Sequence, residues 1–426
     1  MKHIKYFEEK AIYDSYINGN EAILPNVSYT VDTNEVFYNS SSNNSTKNYM
    51  YVEALEDDTL VSFKGLDLNS DSFYIDPYNT LEYSVDQQTW NAISTDGTAT
   101  TINTGEKLYF RGECTDIRLD NDSGTGGIGI FLLTKKYNVG GNIMSLLFSD
   151  NFEDKIDLTG YDYVFVQLFV DIMTIANGDE GKLVSAENLL LPATTLARNC
   201  YSAMFGYCTS LQTAPSTLPA TTLTEYCYYN MFLYCTSLTS TPQLPATILA
   251  SLCYGSMFNK CTSLTSTPSL PATTLADNCY SGMFQNCTSL VNAPELPATT
   301  LADSCYIYMF ENCTSLENAP ELPATTLVYE CYAFMFYGCS SLITAPKLPA
   351  TILIKECYEY MFSGCTSLQE ITMLATDIPA SDCLYNWVKN VASTGTFTKH
   401  PDMTSLSTGT SGIPSGWTVV DYEIIS

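Results

Sequence analysis

Apolar and polar residues along this chain follow two rhythms in turn. From Tyr49 to about Thr134 they alternate in short runs, Leu81, Tyr83 and Val85 and then Leu108 and Phe110, punctuated by Asp-Gly and Gly-Glu turns. Alternation marks half-buried strands, so this stretch predicts a small antiparallel sandwich of immunoglobulin-like or related form. From Leu191 the rhythm becomes a long repeat. LPATTL or a close variant starts at Leu191, Leu218, Leu244, Leu270, Leu296, Leu322 and Leu348, spaced 27 residues once and 26 thereafter. Each start leads into Cys-Tyr, Met-Phe, a second Cys and (T/S)SL, and all but the last copy then carry a proline.

A fixed period of this length is the signature of a stacked array in which each unit covers its neighbour. Within one unit Cys200, Met204 and Cys208 stand at i, i+4 and i+8, with Tyr201 and Phe205 one place on. That spacing predicts one apolar stripe of a short helix of two to three turns. Leu211 to Ala214 reads as a short strand stopped by Pro215, with Pro219 shaping the return. Helices pack about 8–10 Å apart and paired strands about 4.8 Å apart, so such a stack is expected to bend with its strands on the concave side.

Decayed copies flank the array. Phe165, Leu168 and Phe169 stand where Tyr201, Met204 and Phe205 stand, and Leu183-Val184-Ser185-Ala186 imitates the later strand, with Ile175 to Gly181 inserted between. After the array, Leu374 opens a copy with Cys383 in place and Trp387-Val388 for Met-Phe. Both read as caps over the open ends of the core. The tail, with Trp417-Thr418-Val419-Val420, would finish the second cap.

The repeat LPATTLxxxCYxxMFxxCTSLxxAPxL resembles the BspA-type leucine-rich repeat of surface proteins of gut Bacteroidales and of structural proteins of their tailed phages. The upstream segments Tyr51 to Phe63, Leu81 to Ile93, Gly105 to Gly112 and Gly141 to Phe152 are similar to the β-rich module that precedes such repeats. The opening KYFEEKAIYDSYINGNEAILPNVSYTVDTNEVFYN resembles N-terminal segments of virion proteins of Bacteroides phages. The fold class expected is therefore α+β, a sandwich-like module followed by a curved leucine-rich-repeat solenoid. Its parts are an anchoring segment (1–38), a linker rich in Asn and Ser (39–48), the β-rich domain (49–140), a cap with a decayed repeat (141–190), seven repeats (191–373), and a decayed repeat with the C-terminal cap (374–426).

Charge and chemistry narrow the function. Lys and Arg total 18 against 46 Asp and Glu, a net charge of -28, which repels phosphate backbones and argues against nucleic acid as a partner. No apolar run reaches bilayer length, and Glu8 and Glu9 interrupt the start before a signal-peptide core forms. Folding in the cytoplasm with reduced thiols is the expectation. Fifteen of the 16 cysteines fall at equivalent places in the array, with Cys114 outside. Two residues eight apart on a helix are about 12 Å apart by rise, too far for a disulfide. That spacing suits no usual zinc site, and His3 and His400 are the only histidines. Buried reduced thiols packed as small hydrophobes are expected, with no metal, no cofactor and no enzymatic site.

Function then falls to positions the repeat leaves free to vary. Tyr207, Tyr229, Tyr234, Tyr308, Tyr337 and Tyr360 are the candidate ligand-binding face, because tyrosine offers large contact area at low entropic cost. Tyr6, Phe7, Tyr13, Tyr16, Leu24, Pro25 and Tyr29, too few for a core of their own, are the candidate anchoring residues. The resemblance implies a phage head or tail fibre or decoration protein. It would be held by its N-terminus to other virion proteins and would display the repeats to a host surface glycan or protein. A homo-oligomer, a trimer by the same resemblance, is expected, located in the virion after synthesis in the host cytoplasm. The alternative is an adhesin on a bacterial cell surface.

Overall fold

The computed structural model describes residues 27–30, 35–38, 47–64, 79–94, 98–114, 129–171, 180–379, 382–403 and 406–423. The chain divides into two compact units, Met1–Lys47 and Asn48–Ser426. In the first, strands β1 (Val27–Thr30) and β2 (Glu35–Tyr38) pair antiparallel, Val27 opposite Tyr38. Tyr29 lies on β1; Tyr6, Phe7, Tyr13, Tyr16, Leu24 and Pro25 lie outside the described residues. So does most of the 39–48 linker, and so do residues 175–179 of the insertion.

The second unit opens with β3 (Met50–Ala54), β4 (Thr59–Lys64), β5 (Asn79–Ser84), β6 (Asn91–Ala92), β7 (Thr98–Ile102), β8 (Lys107–Cys114), β9 (Ile130–Leu133), β10 (Tyr137–Asn142) and, further on, β11 (Leu183–Leu190). They form a six-stranded sheet in the order β11-β10-β3-β8-β5-β6 and a three-stranded sheet in the order β7-β4-β9. Phe110 of the first meets Phe131 of the second edge to face, centroids 4.8 Å apart. Leu108 and Phe110 are buried as the alternation predicts, Leu81 and Tyr83 are half-buried, and Val85 is exposed beyond the end of β5. Among the described residues the only α-helix is α1 (Ser145–Phe148), followed by a 3-10 turn at Ser149–Asn151. The chain is mostly strand and turn, so α+β describes it poorly.

The sheet grows into the array without a break. β10 pairs parallel with β11, which is the strand of the decayed first coil, and Ser185 then bridges Thr213 of the next. Similar parallel bridges link Asn292 to Asn318, Asn318 to Thr344 and Thr344 to Glu370. At the far end β12 (Glu370–Met373), β13 (Thr396–Lys399) and β14 (Thr418–Asp421) continue the parallel stack. Trp417 is buried beside β14, its indole N–H donating to the Ala392 carbonyl at 2.7 Å.

The predicted helix is absent. Across Ala197–Cys208 alternate residues form tight turns, the amides of Cys200, Ser202, Met204, Gly206 and Cys208 each donating to the carbonyl three residues back, at 2.9–3.4 Å. The amides between them point out of the coil. Those of Tyr201, Ala203, Phe205 and Tyr207 donate to Cys227, Tyr229, Met231 and Leu233 of the next coil at 2.7–3.0 Å. Every fourth residue, Asn199, Ala203 and Tyr207, has positive φ (55°, 50° and 61°), where a type II turn requires its third residue. The result is a ribbon of turns with a strict period of four, two residues inward and then two outward. Cys200, Tyr201, Met204, Phe205 and Cys208 share its buried side. Since this ribbon, like the strands opposite, is hydrogen-bonded coil to coil, the mismatch between helix and strand spacing that would bend the stack has no source.

Candidate functional site

The inward residues form continuous columns. Phe165 stacks on Tyr201 (centroids 5.5 Å, planes 13° apart), and the stack runs on through Tyr228, Tyr254, Tyr280, Tyr306 and Tyr332 to Tyr358 at 5.7–6.0 Å. A second column begins in the β module with Phe131 on Phe169 at 5.6 Å, passes through Phe205 and its equivalents, and ends on Trp387. The second cysteine of each coil adds a cross-link of another kind. The Cys208 thiol donates to the Phe169 carbonyl at 3.0 Å, and those of Cys235, Cys261, Cys287, Cys313, Cys339 and Cys365 repeat the contact at 3.0–3.2 Å. All fifteen array cysteines are buried and none is in a disulfide. Burial pushes the thiols of Cys200, Cys253 and Cys313 up to about 12, which removes nucleophilic character at neutral pH. These residues are packing, and among the described residues no three His, Cys, Asp or Glu side chains are grouped as a metal site needs.

The outward residues of the ribbon are where chemistry varies. All six predicted tyrosines lie there and all are half-buried, yet they fall into three groups. Tyr207 stacks on Tyr234 at 5.1 Å, and Lys260 of the next coil puts its Nζ 4.3 Å over the Tyr234 ring and 3.1 Å from its hydroxyl. Tyr229 packs edge-on to Tyr226 at 5.6 Å, and its ring covers Gly255 so closely that a Cβ there would stand 3.0 Å from it. The third group is larger. Phe334 lies between Tyr308 and Tyr360, 4.8 Å from each, with Tyr337 at 6.0 Å from Phe334 and Tyr385 edge-on to Tyr360 at 5.4 Å. Asn386 Nδ2 donates to the Tyr360 hydroxyl at 3.1 Å.

Phe334 and Tyr385 bind this group together, though neither is predicted as a site residue from sequence. The signal that finds them is the four-residue period. Counted from the first cysteine of each coil, Tyr308, Phe334 and Tyr360 occupy one column, all at positive φ (58°, 56° and 50°). Carboxylates crowd the same face. Glu330 accepts from the Ser304 hydroxyl at 2.9 Å, and Glu356 lies 3.2 Å from Lys355. Burial, reinforced by Glu311, Glu330 and Glu359, raises the Tyr308 phenol. Burial also raises Glu359, with repulsion from Glu356, Glu330 and Asp382 added. Negative charge on one side of an aromatic shelf favours ligands that carry hydrogen-bond donors or positive charge. An open recess of about 470 Å³ lies elsewhere, between Asp162, Arg198 and Glu225, and none of the six tyrosines lines it.

No curated protein and no solved structure matches the chain. Residues 279–394, the coils that carry the larger aromatic group, match the family described as BspA type Leucine rich repeat region, in six copies.

Proposed function

We propose that the chain is an attachment protein that binds a cell-surface glycan or protein through the outward face of its turn ribbon and performs no chemistry on it. The carrying observation is the joined aromatic group Tyr308, Phe334, Tyr337 and Tyr360, half-buried, with Tyr385 exposed at its end, on the variable side of a rigid stack. Left-handed backbone costs a residue with a side chain about 1–2 kcal/mol, and asparagine and glycine fill the same columns at Asn230, Gly282 and Asn386. Aromatic residues kept there at that cost suit contact with a partner. The BspA-type repeat region supports a surface adhesin-type role. An array of purified glycans and surface proteins tests the reading. Tyr308→Ala with Tyr360→Ala should abolish binding, Tyr229→Ala and Tyr234→Ala should show whether the smaller groups contribute, and binding untouched by all four changes would remove the face.

In its finer form the reading is a fibre or decoration protein of a tailed phage of gut Bacteroidales, a homotrimer anchored by residues 1–38. The resemblance of the opening segment to N-terminal segments of virion proteins supports this form. The repeat family equally supports an adhesin on a bacterial cell. Mass spectrometry of purified particles and of cell-surface fractions separates the two. Particles that incorporate a chain lacking residues 1–38 would rule out the anchoring role.

A further inference from the structure

The attachment face differs along its length, and the difference indicates what it binds. In the N-terminal coils the Tyr207–Tyr234 stack is already capped by a cation of the chain itself, Lys260, seated on ring and hydroxyl together. In the C-terminal coils the rings are more numerous and the charge beside them is negative. Glu330, Glu356 and Asp382 occupy one column on successive coils, where the Tyr329 hydroxyl hydrogen-bonds both Glu356 and Glu330 and Lys355 pairs with Glu356. These contacts hold the Glu356 carboxyl below its ordinary value, charged beside the rings. The geometry of the rings also disfavours a neutral sugar. Saccharides stack on open ring faces, but both faces of Phe334 are covered, by Tyr308 and Tyr360. Phe334 therefore offers its edge, flanked by the phenols of Tyr308 and Tyr360 and the neighbouring carboxylates.

Resting on the attachment reading, we propose that this end of the ribbon docks a basic polypeptide segment, whose ammonium or guanidinium groups pair with Glu330, Glu356 and Glu359 while their aliphatic stems lie along Tyr308, Phe334 and Tyr360. Lysine and arginine present this division between apolar stem and charged head. Partial burial of the carboxylates, with exposures between the buried and open extremes, strengthens such pairs over those on an open surface. Lys260 on Tyr234 displays the same seat within the chain.

Fluorescence anisotropy of a labelled oligolysine peptide with the full chain tests this. Glu330→Gln/Glu356→Gln/Glu359→Gln keeps side-chain size and removes three charges. It should weaken binding about tenfold or more and make the remainder less salt-dependent. Glu295→Gln/Glu317→Gln/Glu321→Gln, removing three charges from exposed positions on the strand side, should change binding less than about twofold. Equal loss in both would mean that the peptide follows net charge alone, and would overturn the proposal. So would absent peptide binding combined with a neutral glycan bound in a Tyr308-dependent way. The two readings fail separately. Cell attachment lost with Tyr308→Ala/Tyr360→Ala but kept by the first triple variant sinks the basic-segment inference and leaves attachment standing. Attachment unaffected by either sinks the attachment reading. Melting temperatures of both triple variants at or above that of the parent exclude misfolding as the cause.

Discussion

Positive φ recurs at every fourth ribbon residue, and the side chains found there obey a steric filter. Asn199, Ala203, Tyr207, Leu252, Lys260, Asn278, Glu330 and Phe334 are among them, and none of the positive-φ residues described is Val, Ile or Thr. A branched Cβ cannot enter the left-handed region without clashing with its own backbone, whereas glycine enters freely and asparagine at little cost. Asn278→Val should therefore cost about 1–2 kcal/mol while Asn278→Gly stays within a few tenths. Ser281→Val, at an outward position with ordinary φ, should stay within about 0.5 kcal/mol. Urea midpoints of the three variants check this, and equal losses at both sites would contradict the turn assignment. The filter was legible in the sequence. Asparagine, glycine and serine recur one place before, three after and seven after the first cysteine, as at Asn278, Gly282 and Asn286. A helix would have little use for them on so regular a schedule. Cys, Met and Cys at four-residue intervals were a poor discriminator, because 3.6 and 4.0 scarcely separate over two steps.

At the scale of the element, the ribbon and the loop after it tolerate change differently. The first repeat is a residue longer than the rest, and its extra residue falls between Pro215 and Leu218, where Thr217 still bridges Gln243. Phe205 still stacks on Phe232 at 5.2 Å, so the ribbon register is unaffected. Within the ribbon one extra residue would turn the second residue of every later inward pair outward and bring an outward one in. An alanine inserted between Met283 and Phe284 should cost at least about 3–5 kcal/mol, the loss of one buried aromatic ring. The same insertion after Pro268 should be nearly silent. Deleting Cys279–Ser304 removes one whole period and joins Asn278 to Cys305, so it should yield a folded, shorter stack with a lower urea m-value. Circular dichroism and urea unfolding read all three, and a ribbon insertion as mild as the loop insertion would refute the four-residue register. Period, caps and inward residues could be read from the sequence because packing repeats them. The direction of the amides could not, since both a helix and a turn ribbon bury a Cys-Tyr, Met-Phe, Cys pattern.

Across the whole molecule, module and array share one apolar core. It runs from Tyr49 through Phe131 and Phe169 along the ring columns to Trp387, Phe397 and Trp417. The β module thus covers the first coil, with β10 on one side and Phe131 on the other. Sequence reading separated a domain at 49–140 from a cap at 141–190, but β10 (Tyr137–Asn142) straddles that division. Such a core carries an unusual load of titratable groups. Burial pushes the thiols of Cys200, Cys253, Cys305, Cys313 and Cys357 up to about 12, and it raises the buried phenols of Tyr201, Tyr228 and Tyr254 too. In the unfolded chain thiols ionise near pH 8.5 and phenols near pH 10. A group whose pKa is raised by folding contributes its full stability below the unfolded value and loses it as pH climbs toward the folded one. Each such thiol should therefore remove about 1.4 kcal/mol per pH unit from about pH 9 toward pH 12. Melting temperature should stay nearly flat from pH 7 to 8.5 and fall steeply above pH 9. A thiol reagent at pH 8 should leave the fifteen array cysteines untouched until the protein unfolds, and then modify them all. Replacing the cysteines of one central coil, Cys279→Ala/Cys287→Ala, should make the alkaline fall shallower by two groups' worth of slope. A fall of unchanged steepness would assign the lability to the tyrosine column instead.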